Sequence, residues 1–283
     1  MKTTRYLRLL LWFFLGGVLV LFICSFVLQR FELEVDFEDV KQAFAAKNIE
    51  LAQHSYATET GRLSYVSAGD PTLPTLVLIH GSPGDWRAWK KLMLSSTLLD
   101  DFHLILPDRP PYNASSAVGG QLSLQSQAFQ KLMLKLCHPC VLVGHSYGAG
   151  LALQLAIDYP EQTKAVVSLA GTVAADYQKP RWYNHVAQLF FARPFLTKGL
   201  KASNEEMMTL HNDLTFLEKE LKGLTVPIFF LQGGKDVLVN PYSPFHIFPN
   251  INHAFLLYQS KWDHFVIWSE TDEVVDLIYR ASQ

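Results

Sequence analysis

Six short runs in this chain are almost wholly apolar, and segments with helical periodicity lie between them. The runs are TLVLI at Thr75–Ile79, HLIL at 103–106, VLV at 141–143, AVVSLA at 165–170, IFFL at 228–231 and AFLLY at 254–258. A strand covered on both faces reads as a continuous apolar run, whereas a half-exposed strand alternates. Leu122–Leu136 and the stretch from Leu151 to Pro160 have helical spacing, as do residues 86–99 and a last helix at 273–280. Alternation of this kind predicts an α/β fold with a mostly parallel sheet and helices on both faces. Two further strands are predicted at residues 50–56 and 62–67, on either side of Gly61. Apolar residues make up 49% of the 283-residue chain and charged residues 18%. That composition supports one domain of about 250 residues with room for an inserted subdomain.

The insertion is predicted at residues 172–224, which carry no strand signal and many bulky apolar residues, among them Trp182, Tyr183, Phe190, Phe191, Met207 and Phe216. It is expected to form a helical cap over the sheet, with most of these side chains packing cap onto core.

The first thirty residues differ in kind. Residues 9–28 carry no charge, and about 20 such residues cross a bilayer as a helix. Lys2, Arg5 and Arg8 precede the run, and Glu32, Glu34, Asp36, Glu38 and Asp39 follow it. Because basic flanks stay cytoplasmic, the expected topology is a single-pass anchor with the N-terminus in the cytoplasm and the body outside it. A cleaved signal peptide is the rival reading, disfavoured by the length of the run and the absence of a small-x-small site. The expected organisation is a cytoplasmic tip and transmembrane anchor at 1–30, a linker helix at 31–49 and the main domain at 50–283. A net charge of −2 and the lack of a basic stripe exclude nucleic acid as a partner.

The chemistry-bearing motif is Gly144-His145-Ser146-Tyr147-Gly148, placed directly after one predicted strand and before a predicted helix. A serine on so tight a turn projects from the sheet edge, and the following helix offers an unpaired backbone N–H from Tyr147. His80-Gly81-Ser82-Pro83-Gly84 ends the TLVLI strand. Pro83 has no N–H, so the backbone of Ser82 is the candidate second donor of an oxyanion hole. His80 is read as a structural brace for that loop. Asp236 follows the IFFL strand and a Gly-Gly turn, with Asp176 as the reserve acid. Of ten histidines, only His264 lies between the last strand and the last helix; His246 and His253 precede that strand.

With these residues in hand, residues 50–283 resemble the α/β-hydrolase superfamily. His80–Gly84 is similar to its oxyanion loop, Pro107-Asp108-Arg109-Pro110 to its D-R-P-G loop, Gly144–Gly148 to its nucleophile elbow, Gly233–Asp236 to its acid turn and Asp263-His264-Phe265 to its base loop. Pro111 and Asn113 depart from the glycines usual in the second of these. The resemblance implies an α/β-hydrolase fold and a catalytic triad of Ser146, Asp236 and His264, with the backbone N–H groups of Ser82 and Tyr147 receiving the oxyanion. It implies no metal and no organic cofactor. A serine at the elbow argues against dehalogenase and epoxide-hydrolase chemistry, for which the resemblance implies an aspartate there.

The expected partner is a small ester or other acyl substrate, and the expected activity a serine esterase, lipase-like in type. An acyltransferase, a small-residue aminopeptidase or a silent binding module are the alternatives. For the aminopeptidase, Glu205 and Glu206 could hold a substrate amine, although adjacent acids usually form a solvated face. Cys137 and Cys140, in Cys-His-Pro-Cys, have no second pair for zinc and are expected to form a short-loop disulfide if the body is exported. Cys24 lies in the apolar run and carries no expected chemistry.

Overall fold

The structure, a computed structural model, describes residues 36–283 apart from residue 96, and scattered positions between Tyr6 and Val27. Half of the expected membrane span at 9–28 therefore lies outside the described residues. Among those described, no helix is long and apolar enough to cross a membrane.

Eight strands form one sheet: β1 (Leu51–Thr58), β2 (Gly61–Ala68), β3 (Thr75–Ile79), β4 (His103–Asp108), β5 (Cys140–His145), β6 (Thr163–Leu169), β7 (Ile228–Gly233) and β8 (Ala254–Gln259), in the order β1-β2-β4-β3-β5-β6-β7-β8. β2 runs antiparallel to β1 and β4, and every other pairing is parallel. The order fixes where a site can form. From β3 the chain moves outward to β4, and from β5 it moves the other way to β6. Their carboxyl ends therefore open a crevice between diverging loops. The loop after β3 begins at His80, and the turn after β5 carries Ser146. Because Ile79 lies opposite Gly144, these two loops emerge side by side.

Both faces of the sheet are covered. On one lie α4 (Leu122–Leu136), α5 (Tyr147–Asp158) and part of α7 (Lys198–Glu220), and on the other α1 (Phe37–Ala45), α2 (Lys90–Ser95) and α10 (Thr271–Ala281). α5 is buried from Tyr147 to Ala156. Each leucine it hides contributes about 1.5–3 kcal/mol relative to exposure. α1, expected as a linker, packs onto the domain. Asp36 caps it by accepting from the Glu38 N–H, and Val40 and Phe44, one turn apart, are buried, with Phe44 against Trp86.

Residues 86–99 do not form the single helix expected of them. A 3₁₀ turn at Trp86–Trp89 precedes α2, and α3 (Leu98–Asp101) follows separately. Both indoles are buried, and a three-residue turn eclipses positions 86 and 89, which an α-helix would offset by about 60°. Asp85 caps that turn on the Arg87 N–H. Between β6 and β7 the cap comprises α6 (Trp182–Gln188), α7 and intervening 3₁₀ turns. After β7 come the short α8 (Ser243–Ile247) and, after β8, α9 (Val266–Ser269) leading into α10.

Candidate active site

Ser146 sits at φ 56°, ψ −122°, a conformation that L-residues avoid and that persists only where surroundings impose it. Its N–H donates to the Leu169 carbonyl of β6, and its own carbonyl accepts from Ala149 and Thr172. The flanking glycines are steric requirements. A Cβ on Gly144 would lie 2.3 Å from the Gly148 carbonyl oxygen, and one on Gly148 would lie 2.3 Å from that of Ile79. The turn thus presses α5 against the ends of β3 and β5. Tyr147, the first residue of α5, has an N–H that no carbonyl of the helix can accept.

Asp236 and His264 emerge after β7 and β8 at the same sheet edge. His264 Nδ1 donates to Asp236 Oδ2 at 2.8 Å, and both side chains are almost fully buried. This bond leaves Nε2 as the ring's free acceptor. Asp236 is itself held in place: Oδ1 accepts from the Leu238 and Val239 N–H groups, and Oδ2 also accepts from Gln232. His264 and Ser146 line one cavity of about 480 Å³, roofed by α6 and α7 and bordered by Ser82, Tyr177, Met207 and Leu238. The reserve acid Asp176 is elsewhere. It is exposed and faces His246 at 3.9 Å.

His145, inside the elbow, donates from Nε2 to the His264 carbonyl at 3.0 Å, and the two rings lie 4.9 Å apart. Burial, reinforced by the neighbouring His264, lowers its pKa to about 4. It is a neutral brace that adds no charge beside His264.

The loop after β3 is clamped from behind by Arg109, a residue with no exposed surface. Arg109 donates to the carbonyls of His80 (2.7 Å) and Gly81 (2.8 Å), to Gln125 (2.8 Å) and to Glu206 (2.6 Å). His80 adds a second donor to the Gly81 carbonyl through Nδ1, while its Nε2 accepts from the Arg109 N–H. Burial, with the Arg109 charge beside it, lowers the His80 pKa to about 3, so it too is neutral. The Gly81 carbonyl and the Ser82 N–H belong to one peptide unit, and in a trans peptide they point in opposite directions. Two donors gripping the carbonyl therefore turn the Ser82 N–H away from Arg109. Gly81 itself abuts the nucleophile turn, since a Cβ there would lie 3.1 Å from the Ser146 Cβ. The Ser82 hydroxyl reaches the cap, donating to Ser203 Oγ at 2.9 Å.

Glu206 has a different role from either one the sequence suggested. It is neither a solvated acid nor available to a substrate amine. It is fully buried and holds Arg109, while Tyr112 and Gln125 also donate to it. Glu205, next to it, is half exposed and pairs with Arg193. Helical phase distinguishes them: Ala202, Glu206, Leu210, Leu214 and Leu217 form the buried stripe of α7, and Glu205 is off it. The cap aromatics correct a second expectation. Trp182, Tyr183, Phe190, Phe191 and Phe216 are exposed and do not pack cap onto core, whereas Met207 borders the cavity. Cys137 and Cys140 are joined as a disulfide between α4 and β5. Among the described residues no group of acidic, histidine or cysteine side chains could hold a metal.

A family model described as alpha/beta hydrolase fold matches residues 74–279. The chain belongs to the α/β-hydrolase family. Mouse epoxide hydrolase 3 is 28% identical over 176 residues, 58% of this chain and 47% of that protein. The chain spans about half the length of the first curated relatives it matches. Among solved structures, a bacterial membrane phospholipase A matches over 100% of both chains at 18% identity and a TM-score of 0.63. The naproxen esterase of Bacillus subtilis matches over 88% of this chain and 99% of its own, at 14% identity and a TM-score of 0.64. At these identities the structural matches show the fold alone.

Proposed function

We propose that this α/β-hydrolase is a serine hydrolase of carboxylic esters that works through an acyl-enzyme on Ser146. The observation that carries the reading is that His264, bonded to Asp236 at 2.8 Å, lines the same cavity as Ser146. In this mechanism His264 Nε2 takes the Ser146 hydroxyl proton as Oγ attacks the ester carbonyl. Asp236 holds the tautomer and offsets the imidazolium charge. The oxyanion is received by the N–H groups of Tyr147 and Ser82, the first at a helix N-terminus and the second oriented by the grip on Gly81. The imidazolium then protonates the departing alkoxide. Water, deprotonated by the same nitrogen, attacks the acyl carbonyl and releases the acid and Ser146.

Epoxide opening, named in a relative, is a poor fit. Attack by Ser146 on an epoxide carbon would leave an ether, with no carbonyl for water to attack, so turnover would stop. A carboxylate nucleophile would instead leave a hydrolysable ester. For placement, we propose that residues 9–28 anchor the chain in a membrane with the body on the extracytoplasmic side, on the strength of the flanking charges.

The full-length chain should hydrolyse nitrophenyl esters and leave styrene oxide untouched. Ser146→Ala and His264→Ala should lower kcat by on the order of 10⁴. Diol release from the epoxide with no ester turnover would overturn the proposal. With an alcohol added, the free acid should remain the main product; a dominant transester would make the protein an acyltransferase.

A further inference from the structure

The cavity mouth has an unusual rim. Among the described residues beyond position 36, all but four of the exposed large apolar side chains lie in segments 177–200 and 237–245 or at Phe265, next to the cavity-lining His264; Val118, Leu134, Phe216 and Phe255 are the exceptions. On the cap side Trp182 is 76% exposed, Phe190 86% and Phe191 56%. Across the mouth Val237 is 81% exposed, Leu238 54% and Phe265 50%. Both segments reach the cavity itself, through Tyr183 and Leu200 on one side and Leu238 on the other. Large apolar side chains held in water on both sides of a cavity mouth mark a binding surface, because burying them is favourable.

Charge identifies the occupant. From Tyr177 to Leu200 there is no acidic side chain, while Lys179, Arg181 and Lys198 fall within the segment and Lys201 follows it. Among the described residues none of these four makes an ion pair. The nearest acids in sequence are engaged: Asp176 faces His246, and Glu205 holds Arg193. Aromatic rings interleaved with unpaired lysine and arginine suit the headgroup layer of a bilayer. There the rings enter the acyl boundary, and the cations reach phosphates and anionic headgroups.

We propose that this rim docks on a bilayer surface carrying anionic lipid and sets the cavity mouth at headgroup level. The substrate class that follows, an ester presented by the bilayer, rests on the hydrolase reading; the docking does not.

The test uses the full chain as Ser146→Ala, with and without Trp182→Phe, so that catalysis plays no part and the other tryptophans cancel. Both are mixed with phosphatidylcholine vesicles, with or without phosphatidylglycerol, in which the phosphatidylcholine is brominated near the headgroup end of its acyl chains. The difference between the two chains is the emission of Trp182. It should fall about twofold on anionic vesicles and little on neutral ones. Lys179→Glu, Arg181→Glu, Lys198→Glu and Lys201→Glu together should restore it, as should ~1 M salt without any substitution. Equal quenching of the two chains overturns the docking, and quenching indifferent to charge and salt overturns the choice of anionic lipid. A Trp182 emission shift that grows with protein concentration in the absence of lipid would assign the rim to a second copy of this chain. Hydrolysis of a soluble ester by the unmodified chain tests the enzyme reading separately.

Discussion

Glu205 and Glu206 are neighbours in sequence and opposites in environment, and neutralising each in turn measures the clamp behind the candidate oxyanion loop. Glu206→Gln keeps volume and shape. Its carbonyl can still accept from Arg109 and Gln125, and its new amide can donate to Tyr112, whose hydroxyl proton can turn to Ser82, 3.1 Å away. The loss is then almost purely the charge that balances a guanidinium with no exposed surface. Two unit charges about 4 Å apart interact by about 4 kcal/mol at an effective dielectric of 20. Breaking a buried pair by removing one partner costs about 3–5 kcal/mol. For a domain of this size about 1 kcal/mol moves Tm by 2–4 °C, so Glu206→Gln should lower it by on the order of 10 °C. The Glu205–Arg193 pair is nearly half exposed, and such pairs are worth about 0–1 kcal/mol, so Glu205→Gln should move Tm by about 4 °C at most. Thermal melts of the three chains at pH 7.5, followed by near-ultraviolet circular dichroism, make the comparison. Equal shifts for both variants, or no shift for Glu206→Gln, would refute the buried clamp.

Three further outcomes are expected. Buried Asp108 accepts from the Trp86 N–H and Asn113, yet burial raises its pKa to about 7, so its contribution to stability falls as pH rises from about 4 to 7; His80 and His145, with lowered pKa values, lose stability as pH falls below about 6.5. Asp108→Asn should therefore raise Tm at pH 8 and steepen its fall between pH 6.5 and 4, and a Tm–pH curve parallel to that of the wild type would contradict this. Asp236→Asn should cut kcat toward nitrophenyl esters by on the order of 10⁴ while Asp176→Asn stays near wild type; the reverse would move the acid to Asp176. Alkylation of native protein under denaturing conditions without reductant should leave Cys137 and Cys140 unmodified, and labelling at both would mean that the pair is reduced in the cell.

Strand positions could be read because doubly covered strands carry no polar side, so VLV and IFFL mark themselves. The elbow was readable for a steric reason: only glycine fits at 144 and 148, where the helix meets β3 and β5. Asp236 and His264 could be placed because each follows a readable strand and so emerges at the sheet edge that bears Ser146. What lay hidden depends on contacts between distant segments. Arg109 looked like part of a loop motif, and its acceptors come from residues 80, 81, 125 and 206. Glu206 was misjudged by pairing it with Glu205, although its spacing from Leu210 and Leu214 puts it on the buried stripe. The cap aromatics misled because hydrophobicity alone does not separate a packing face from a docking face. Residues 86–99 misled because helical spacing over the whole segment masks the local demand of two indoles for one side of a tight turn.

The central claim is that Ser146 is a nucleophile activated by His264. A fluorophosphonate probe applied to the full-length chain, followed by proteolysis and mass spectrometry, tests it most directly, because phosphonylation needs the activated hydroxyl and no knowledge of the substrate. The expected result is a single adduct on the peptide bearing Ser146, absent from Ser146→Ala and slowed at least about a hundredfold in His264→Ala. An adduct at another serine, or undiminished labelling of Ser146→Ala, would contradict the assignment.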